Sequence, residues 1–433
     1  MIKTSAKKVI SYLLRLEAEM VLNKYQPKIV AVAGSVGKTS TKDALVAVLS
    51  AEYFVWGSKK SYNSEFGVPL TILGCHSAGN NPLGWMRNIL EGVALIIFNN
   101  HYPEWLVLEV GADRPGDIKA IAKWLKLEAV VLTHFPALPV HVEFFSSPLA
   151  LHEEDFSLTR ALKTDGKIVV NADDELMMSL AEGSKYELAS YGFNEGSKVR
   201  ASNEKIMYGE EEKPQPLGLT FKVDVGGGSY PVRLMGSLGR HQIYPALAAL
   251  AFGLTQNLNI VTMIEALGRH EGPPGRLRLI KGEKETLILD DTYNASPAAV
   301  QAALKTLSEL ATTGRKIFVF GDMLELGTHT IEAHKEVGRE AAEVCGVIFL
   351  VGLRAKFAAE GAKEKKFTAR NIHFYADAAA AGKALEKIIG PGDIILIKGS
   401  QAMRLEKVVE EIMAEPEKKA ILLCRQDREW AGR

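Results

Sequence analysis

Little in this sequence could staple it or anchor it. Its three cysteines, Cys75, Cys345 and Cys424, are odd in number and far apart. That offers neither a disulfide framework nor a zinc spacing, and it fits a reducing cytoplasm. Neither sign of charge is in excess: 52 Lys and Arg balance 52 Asp and Glu. A basic nucleic-acid surface and an acidic tail are therefore not expected. No uncharged apolar run reaches the roughly 18 residues of a spanning helix. The longest candidate, Gly92–Phe98, is too short. The first residues begin with lysines, but Arg15, Glu17 and Glu19 interrupt the apolar stretch and no small-residue cleavage site follows, unlike a signal peptide. What is present is 433 residues, 47% of them hydrophobic, enough for two large or three ordinary domains with real cores.

Residues 4–24 place Val9, Leu13, Leu16 and Met20 at steps of four, three and four, which predicts a helix with one apolar stripe. Short apolar runs follow at Ile29–Ala33, Trp105–Val110, Ala129–Thr133 and Lys167–Asn171, separated by helical stretches. That alternation predicts a parallel α/β sheet. Residues 186–235 alternate and are rich in Gly, Tyr and Ser, which predicts a small antiparallel β region. Glu271-Gly-Pro-Pro-Gly-Arg276 stacks turn formers and reads as a hinge. A second strand–helix series then runs through Thr286–Asp290, Lys316–Phe320, Val347–Val351, Ile372–Tyr375 and Asp393–Lys398. The class is α/β: an N-terminal amphipathic helix over 1–27, a central phosphate-loop parallel-sheet domain over 28–270, and a Rossmann-like domain over 271–433.

The sharpest local signal is Gly34-Ser35-Val36-Gly37-Lys38-Thr39-Ser40, which follows a strand and precedes a helix beginning near Thr41. Backbone N–H groups and the positive helix end of such a loop hold a polyphosphate. Lys38 then reaches the β/γ-phosphates, and the Thr39 hydroxyl ligates Mg²⁺. The pattern is a variant, since Val32 stands where the first glycine is usual. The bland alternative is an ordinary strand–helix turn.

Glu109 ends the Trp105–Val110 run, where carboxylates of parallel sheets face the ligand crevice. It either holds Mg²⁺, directly or through water, or is a capping or ion-paired acid. His134 and His141 follow the next strand and are either metal or phosphate contacts or ordinary loop histidines. The segment Trp85–Phe98 places Trp85, Ile89, Val93 and Ile96–Ile97 on one helix face. Packing on the sheet or a dimer contact is favoured over membrane contact for it, and membrane contact stays open.

From residue 28 onward the chain resembles the Mur ligases, and within them the MurF branch. The resemblance rests on the loop at 34–41, on Asn63–Thr71 (NSEFGVPLT), Leu108–Asp113 (LEVGAD), Asn171–Asp174 (NADD) and Gly239–Gln242 (GRHQ), and on three later stretches: Asp290–Pro297 (DDTYNASP), Gly321–Gly327 (GDMLELG) and Lys398–Arg404 (KGSQAMR). It implies an ATP-dependent acid–amino-acid ligase that makes an acyl phosphate and joins D-Ala-D-Ala, or a similar amine, to a UDP-linked muropeptide or similar carboxylate acceptor in cell-wall precursor synthesis. By that resemblance ATP and Mg²⁺ are the cofactors. The triphosphate falls to Gly34 through Ser40, and magnesium to Thr39, Glu109 and His141. The adenine side falls to Gln242, the ribose to Asp291 and the phosphates to Arg276. Asn294, Lys398, Ser400 and Arg404 line the acyl-phosphate and amine region, with Lys38, His141, Asn294, Lys398 and Arg404 in catalytic roles.

Several positions depart from the family pattern. Its members carry an N-terminal domain of roughly a hundred residues that grips UDP, whereas about 28 residues precede the phosphate-loop strand here. The nucleotide end is then held elsewhere, by a separate UDP-binding partner, or the acceptor is not UDP-linked. Many members also place a carbamylated lysine after the His141 region. Here Glu153-Glu154-Asp155 stands near that position, and Glu154 is the expected anionic metal ligand in its place. Gln242 stands where asparagine is usual and Gln401 where arginine is common. Two other functions stay in view: a Mur-like ligase for a different acceptor, such as a pseudopeptidoglycan or lipid-linked precursor, and a phosphate-loop ATPase that does not ligate.

Overall fold

The computed structural model describes residues 4–58, 62–210, 215–427 and 430. Residues 1–3 of the predicted first helix, 211–214 of the predicted antiparallel stretch, and 428–429 and 431–433 of the predicted Rossmann-like domain lie outside the described residues.

Two sheets organise the chain. The first takes β1 (Lys28–Ala33), β2 (Val55–Gly57), β3 (Trp105–Glu109), β4 (Leu127–Leu132), β5 (Leu162–Asn171), β6 (Glu187–Gly192), β7 (Val199–Tyr208), β8 (Pro216–Val225) and β9 (Gly228–Met235). Their order is β2-β3-β1-β4-β5-β6-β7-β8-β9. Pairing is parallel from β2 across to β7 and antiparallel from β7 to β9. The predicted antiparallel region is present as β7–β9, while β6, within the same stretch, pairs parallel with both β5 and β7, so the region extends the parallel sheet without a break.

The second sheet takes β10 (Arg278–Lys281), β11 (Leu287–Asp291), β12 (Lys316–Gly321), β13 (Val347–Val351), β14 (Ile372–Tyr375) and β15 (Ile394–Lys398), in the order β10-β11-β15-β12-β13-β14. Only β10 is antiparallel to its neighbour. The unbroken apolar runs of β3, β11, β13 and β15 are buried throughout, as strands covered on both faces must be. The alanine-rich helix Ile243–Thr255 covers one face of the first sheet, and its Phe252 meets Trp105 edge-on at 5.5 Å.

Chain connections reverse at β1, which lies between β3 and β4. That is a topological switch point, where a crevice opens beyond the carboxyl ends of the strands. The phosphate loop leaves β1 there.

The first helix, Thr4–Tyr25, forms as expected but turns a different face inward. Leu14, Ala18 and Val21 are buried, while the expected stripe of Val9, Leu13, Leu16 and Met20 faces out. Glu17 sits on the buried side with one oxygen lacking a hydrogen-bond partner among the described residues. It lies over Gly92, where a Cβ would stand 2.3 Å from that oxygen. Burial pushes its pKa up to about 7. A folded-state pKa above the unfolded value makes the associated stability complete at low pH and lost as pH rises through the folded value. Glu17→Gln should therefore weaken the loss of stability between about pH 4.5 and about pH 7, and raise the melting temperature at pH 8. Thermal melts across that range check it; parent and variant curves that stay parallel would contradict it.

Candidate active site

The phosphate loop is built on two glycines with positive φ, Gly34 at 124° and Gly37 at 88°. A Cβ on Gly34 would stand 2.4 Å from Thr133 Oγ1, so only glycine lets β1 leave past the end of β4. The Ser35 N–H donates to the His134 carbonyl at 3.0 Å, which ties the loop to the same strand end. The helix Lys38–Leu49 starts directly at the loop, three residues earlier than expected, with no acid in its first turn. Its free N–H groups and positive end thus face the crevice. Lys38 Nζ donates back to the Gly34 carbonyl at 2.5 Å, and Ser35 Oγ is buried without a partner among the described residues.

Glu109 ends β3 opposite Val32 of β1, so the register sets its carboxylate beside the loop. It is 1% exposed. Its Oε1 accepts from Asn63 Nδ2 at 3.3 Å, and its Oε2 has no partner among the described residues. A Cβ on Gly111 would come within 3.1 Å of Asn63 Nδ2 and 3.4 Å of Lys38 Cε, which places these groups against one another. Asn63 opens the Asn63–Thr71 motif, and no local signal in the sequence shows that it reaches Glu109 across 46 residues.

His141 follows β4 with φ 65°. Its Nδ1 lies 2.8 Å from Glu325 Oε2, in the loop after β12. That close contact holds the Glu325 carboxyl below its usual range. The two sheets are thus bridged at a histidine expected to face metal.

Glu154 does not take the place expected of it. Its oxygens are engaged by the Lys119 N–H at 3.0 Å and the Lys119 ammonium at 3.1 Å. Its neighbour Asp155 turns the other way, since consecutive helix positions differ by about 100°. Asp155 is fully enclosed, with Oδ2 unpartnered among the described residues. Burial pushes its pKa up to about 7, opposed by the nearby Lys38 ammonium and His141.

The opposite wall comes from the second sheet. Asp291 and Lys398 end β11 and β15 in register and pair at 2.6 Å, both buried. Lys398 also donates to the Asn294 carbonyl at 2.9 Å, and burial lowers its pKa against the pull of Asp291. Asp290 turns inward to accept from the Thr292 N–H and hydroxyl at 3.1 and 2.7 Å, and burial lifts its pKa to about 6. Asn294 keeps its own side-chain oxygen on the Ala295 N–H. Ser400 Oγ accepts from the Leu324 N–H at 2.9 Å.

Arg404 is not brought to this wall. Its guanidinium bonds Glu406 at 2.5 Å and the Trp430 carbonyl at 3.2 Å, and the same Glu406 holds buried Arg425 at 2.7 Å. That cluster pins the C-terminal segment.

Arg276, from the hinge, closes the site. Its Nη2 donates to Thr39 Oγ1 at 3.4 Å, its guanidinium lies 4.1 Å over the Tyr293 ring, and its carbonyl accepts from Gln242 Nε2 at 3.0 Å. Between the two sheets lies a cleft of about 260 Å³, walled by Gly37, Ser40 and Thr41 on one side and by Asp291, Lys398 and Ala298 on the other, with His241, Gln242 and Tyr244 at one end. Burial pushes the His241 ring down to about 4, so it is neutral at physiological pH.

Family models match on either side of this cleft: the Mur ligase middle domain over residues 32–253 and the Mur ligase glutamate ligase domain over residues 275–401. The chain belongs to the Mur ligase family. A curated relative, the UDP-N-acetylmuramoyl-tripeptide–D-alanyl-D-alanine ligase of Bacillus subtilis (strain 168), is 27% identical over 92% of this chain and 79% of its own length. Among solved structures, MurF from Acinetobacter baumannii superposes with a TM-score of 0.75 at 25% identity, covering 92% of this chain and 79% of that one. MurF ligase from Thermotoga maritima in complex with ADP superposes with a TM-score of 0.74 at 25% identity, covering 97% and 86%. In this Mur ligase the first sheet carries the phosphate loop and the second carries the Asp291–Lys398 pair.

Proposed function

We propose that this Mur ligase uses ATP to join an amine of the D-Ala-D-Ala type to a UDP-MurNAc-tripeptide-like carboxylate in cell-wall precursor synthesis. The supporting observation is the Arg276–Thr39 contact across a cleft that Asp291 and Lys398 complete, because it sets groups of both sheets around one polyphosphate-sized space. Residues 28–270 and 271–433 act as two domains closing on that space.

Lys38 exchanges the Gly34 carbonyl for the β/γ-phosphates, and the loop N–H groups hold the α/β-phosphates. Gln242 and neutral His241 border the adenine side, with Asp291 toward the ribose. An acceptor carboxylate oxygen attacks the γ-phosphorus, ADP leaves, and an acyl phosphate forms. The amine then attacks the acyl carbon, loses its proton, and expels phosphate. Arg276 and Lys398 offset the charge of the transferring group, and the closed walls keep water from the acyl phosphate.

Among the described residues no three His, Cys, Asp or Glu side chains form a ready metal cage. That suits magnesium, which is usually held by one or two carboxylates together with substrate phosphates and water. The unpartnered Glu109 Oε2 and Asp155 Oδ2 supply such carboxylates, joined by Thr39 and His141. Bound there, Mg²⁺ would neutralise charge developing on the transferring phosphoryl group. Asp155 replaces Glu154 in this reading as the native substitute for a carbamylated lysine. Turnover should then be unchanged by adding or removing bicarbonate, while Asp155→Asn should lower it by about a hundredfold. A strong bicarbonate requirement would contradict the assignment.

Mass spectrometry of reactions holding ATP, the muropeptide and D-Ala-D-Ala tests the whole reading. One condensed product per ADP is expected, and no amide without the dipeptide. ADP release indifferent to both substrates would replace it with a non-ligating ATPase.

A further inference from the structure

Helix Pro82–Ile97 has two apolar faces, not the single one expected. Trp85 and Gly92 are buried and Ile89 is partly so, whereas Leu83, Leu90 and Ile97 are 70%, 61% and 66% exposed, with Met86 and Val93 between them. Beside it the first helix exposes Val9, Leu13, Leu16 and Met20, with Val9 at 57%. The two helices run in the same direction. Lys24 Nζ donates to the Leu95 and Ile96 carbonyls at 3.0 Å, and Glu17 rests on Gly92. Two apolar ridges with spacings of three and four residues therefore lie side by side, facing out. A contiguous face of this kind marks an interaction surface.

Charge gathers at its margin. Residues 1–25 hold five Lys and Arg against two Glu, and Glu17 is buried. Exposed Lys7 and Lys8 make no ion pair among the described residues. The acids on this face are already engaged, Glu19 by Arg15 and Glu91 by Arg87, each at 2.7 Å. The same face of a second copy would bring Lys7 and Lys8 no free acid, since Glu19 and Glu91 are engaged there too, whereas phosphate headgroups would pair them. No helix among the described residues is long and apolar enough to cross a bilayer.

We propose that this two-helix face lies in the plane of an anionic lipid surface, its ridges at the acyl boundary and Lys7 and Lys8 among the headgroups. Both helices lead through short connections into β1 and β3, so their amino ends point toward the sheet edge that carries the phosphate loop. The cleft is then held close to the lipid surface.

Co-sedimentation of the full chain with vesicles of phosphatidylglycerol and phosphatidylcholine, against phosphatidylcholine alone, tests this at moderate salt. Binding should need the anionic lipid. Replacing both Lys7 and Lys8 by serine should weaken it about twenty-fivefold, at about fivefold per cation, and Leu90→Glu should abolish it. Both variants change exposed side chains, so the melting temperature and KM for ATP should not move. Three results would overturn the proposal: no sedimentation with anionic vesicles, equal sedimentation of parent and variants, or a dimer in light scattering that Leu90→Glu splits while vesicles bind nothing. None of them bears on whether the cleft ligates.

Discussion

Lys38→Ala should lower kcat by about a thousandfold or more, since on the proposed mechanism the ammonium meets charge that develops on the transferring phosphoryl group. The fold should hardly notice. Lys38 is half-buried, its bond is to the Gly34 carbonyl of its own loop, and the two positive-φ glycines hold the loop without it. Steady-state kinetics with thermal melts on the same preparation separate the two effects. Near-parent turnover would remove the phosphate loop from the chemistry, and a large fall in melting temperature would make the kinetic loss a folding effect.

Asp291→Ala should act in both respects. Lys398 lies buried at the end of β15 with Asp291 2.6 Å away. Removing one partner of such a pair strands the other charge and costs about 3–5 kcal/mol. The variant should melt well below the parent and show a raised KM for ATP. Asp291→Asn keeps the shape and one acceptor oxygen, so it should be the milder of the two in stability while still raising the KM for ATP. Denaturant melts and a comparison of KM with kcat for both substitutions check this. Parent-like stability of the alanine variant would mean that Lys398 has another counter-charge, and a KM effect confined to the carboxylate acceptor would move Asp291 away from ATP.

The phosphate loop was legible because its parts are contiguous and its strand and helix flank it in sequence. Glu109 was legible for a related reason: a strand-end acid falls beside the loop once β3 pairs with β1. The choice between Glu154 and Asp155 was not legible. Both sit on one helix, and only packing against Lys119 decides which turns away. Arg404 misled for the opposite reason, since its motif was clear but its partners Glu406 and Trp430 come from later in the chain. The His141–Glu325 bridge spans 184 residues, and no pattern in either segment announces it. The first helix shows the limit of periodicity itself. Val9, Leu13, Leu16 and Met20 make a regular apolar stripe, yet Leu14, Ala18 and Val21 won the core. A helix with two apolar stripes does not say which one the protein buries.

Isotope transfer shows whether a carboxylate is activated as an acyl phosphate in the cleft between the two sheets. An acceptor whose reacting carboxylate carries ¹⁸O should, on ligation, release inorganic phosphate bearing one ¹⁸O atom, because the attacking oxygen leaves with the phosphorus when the amine displaces it. Amide formation accompanied by unlabelled phosphate would contradict it, since the γ-phosphoryl group would then have gone to water or another oxygen.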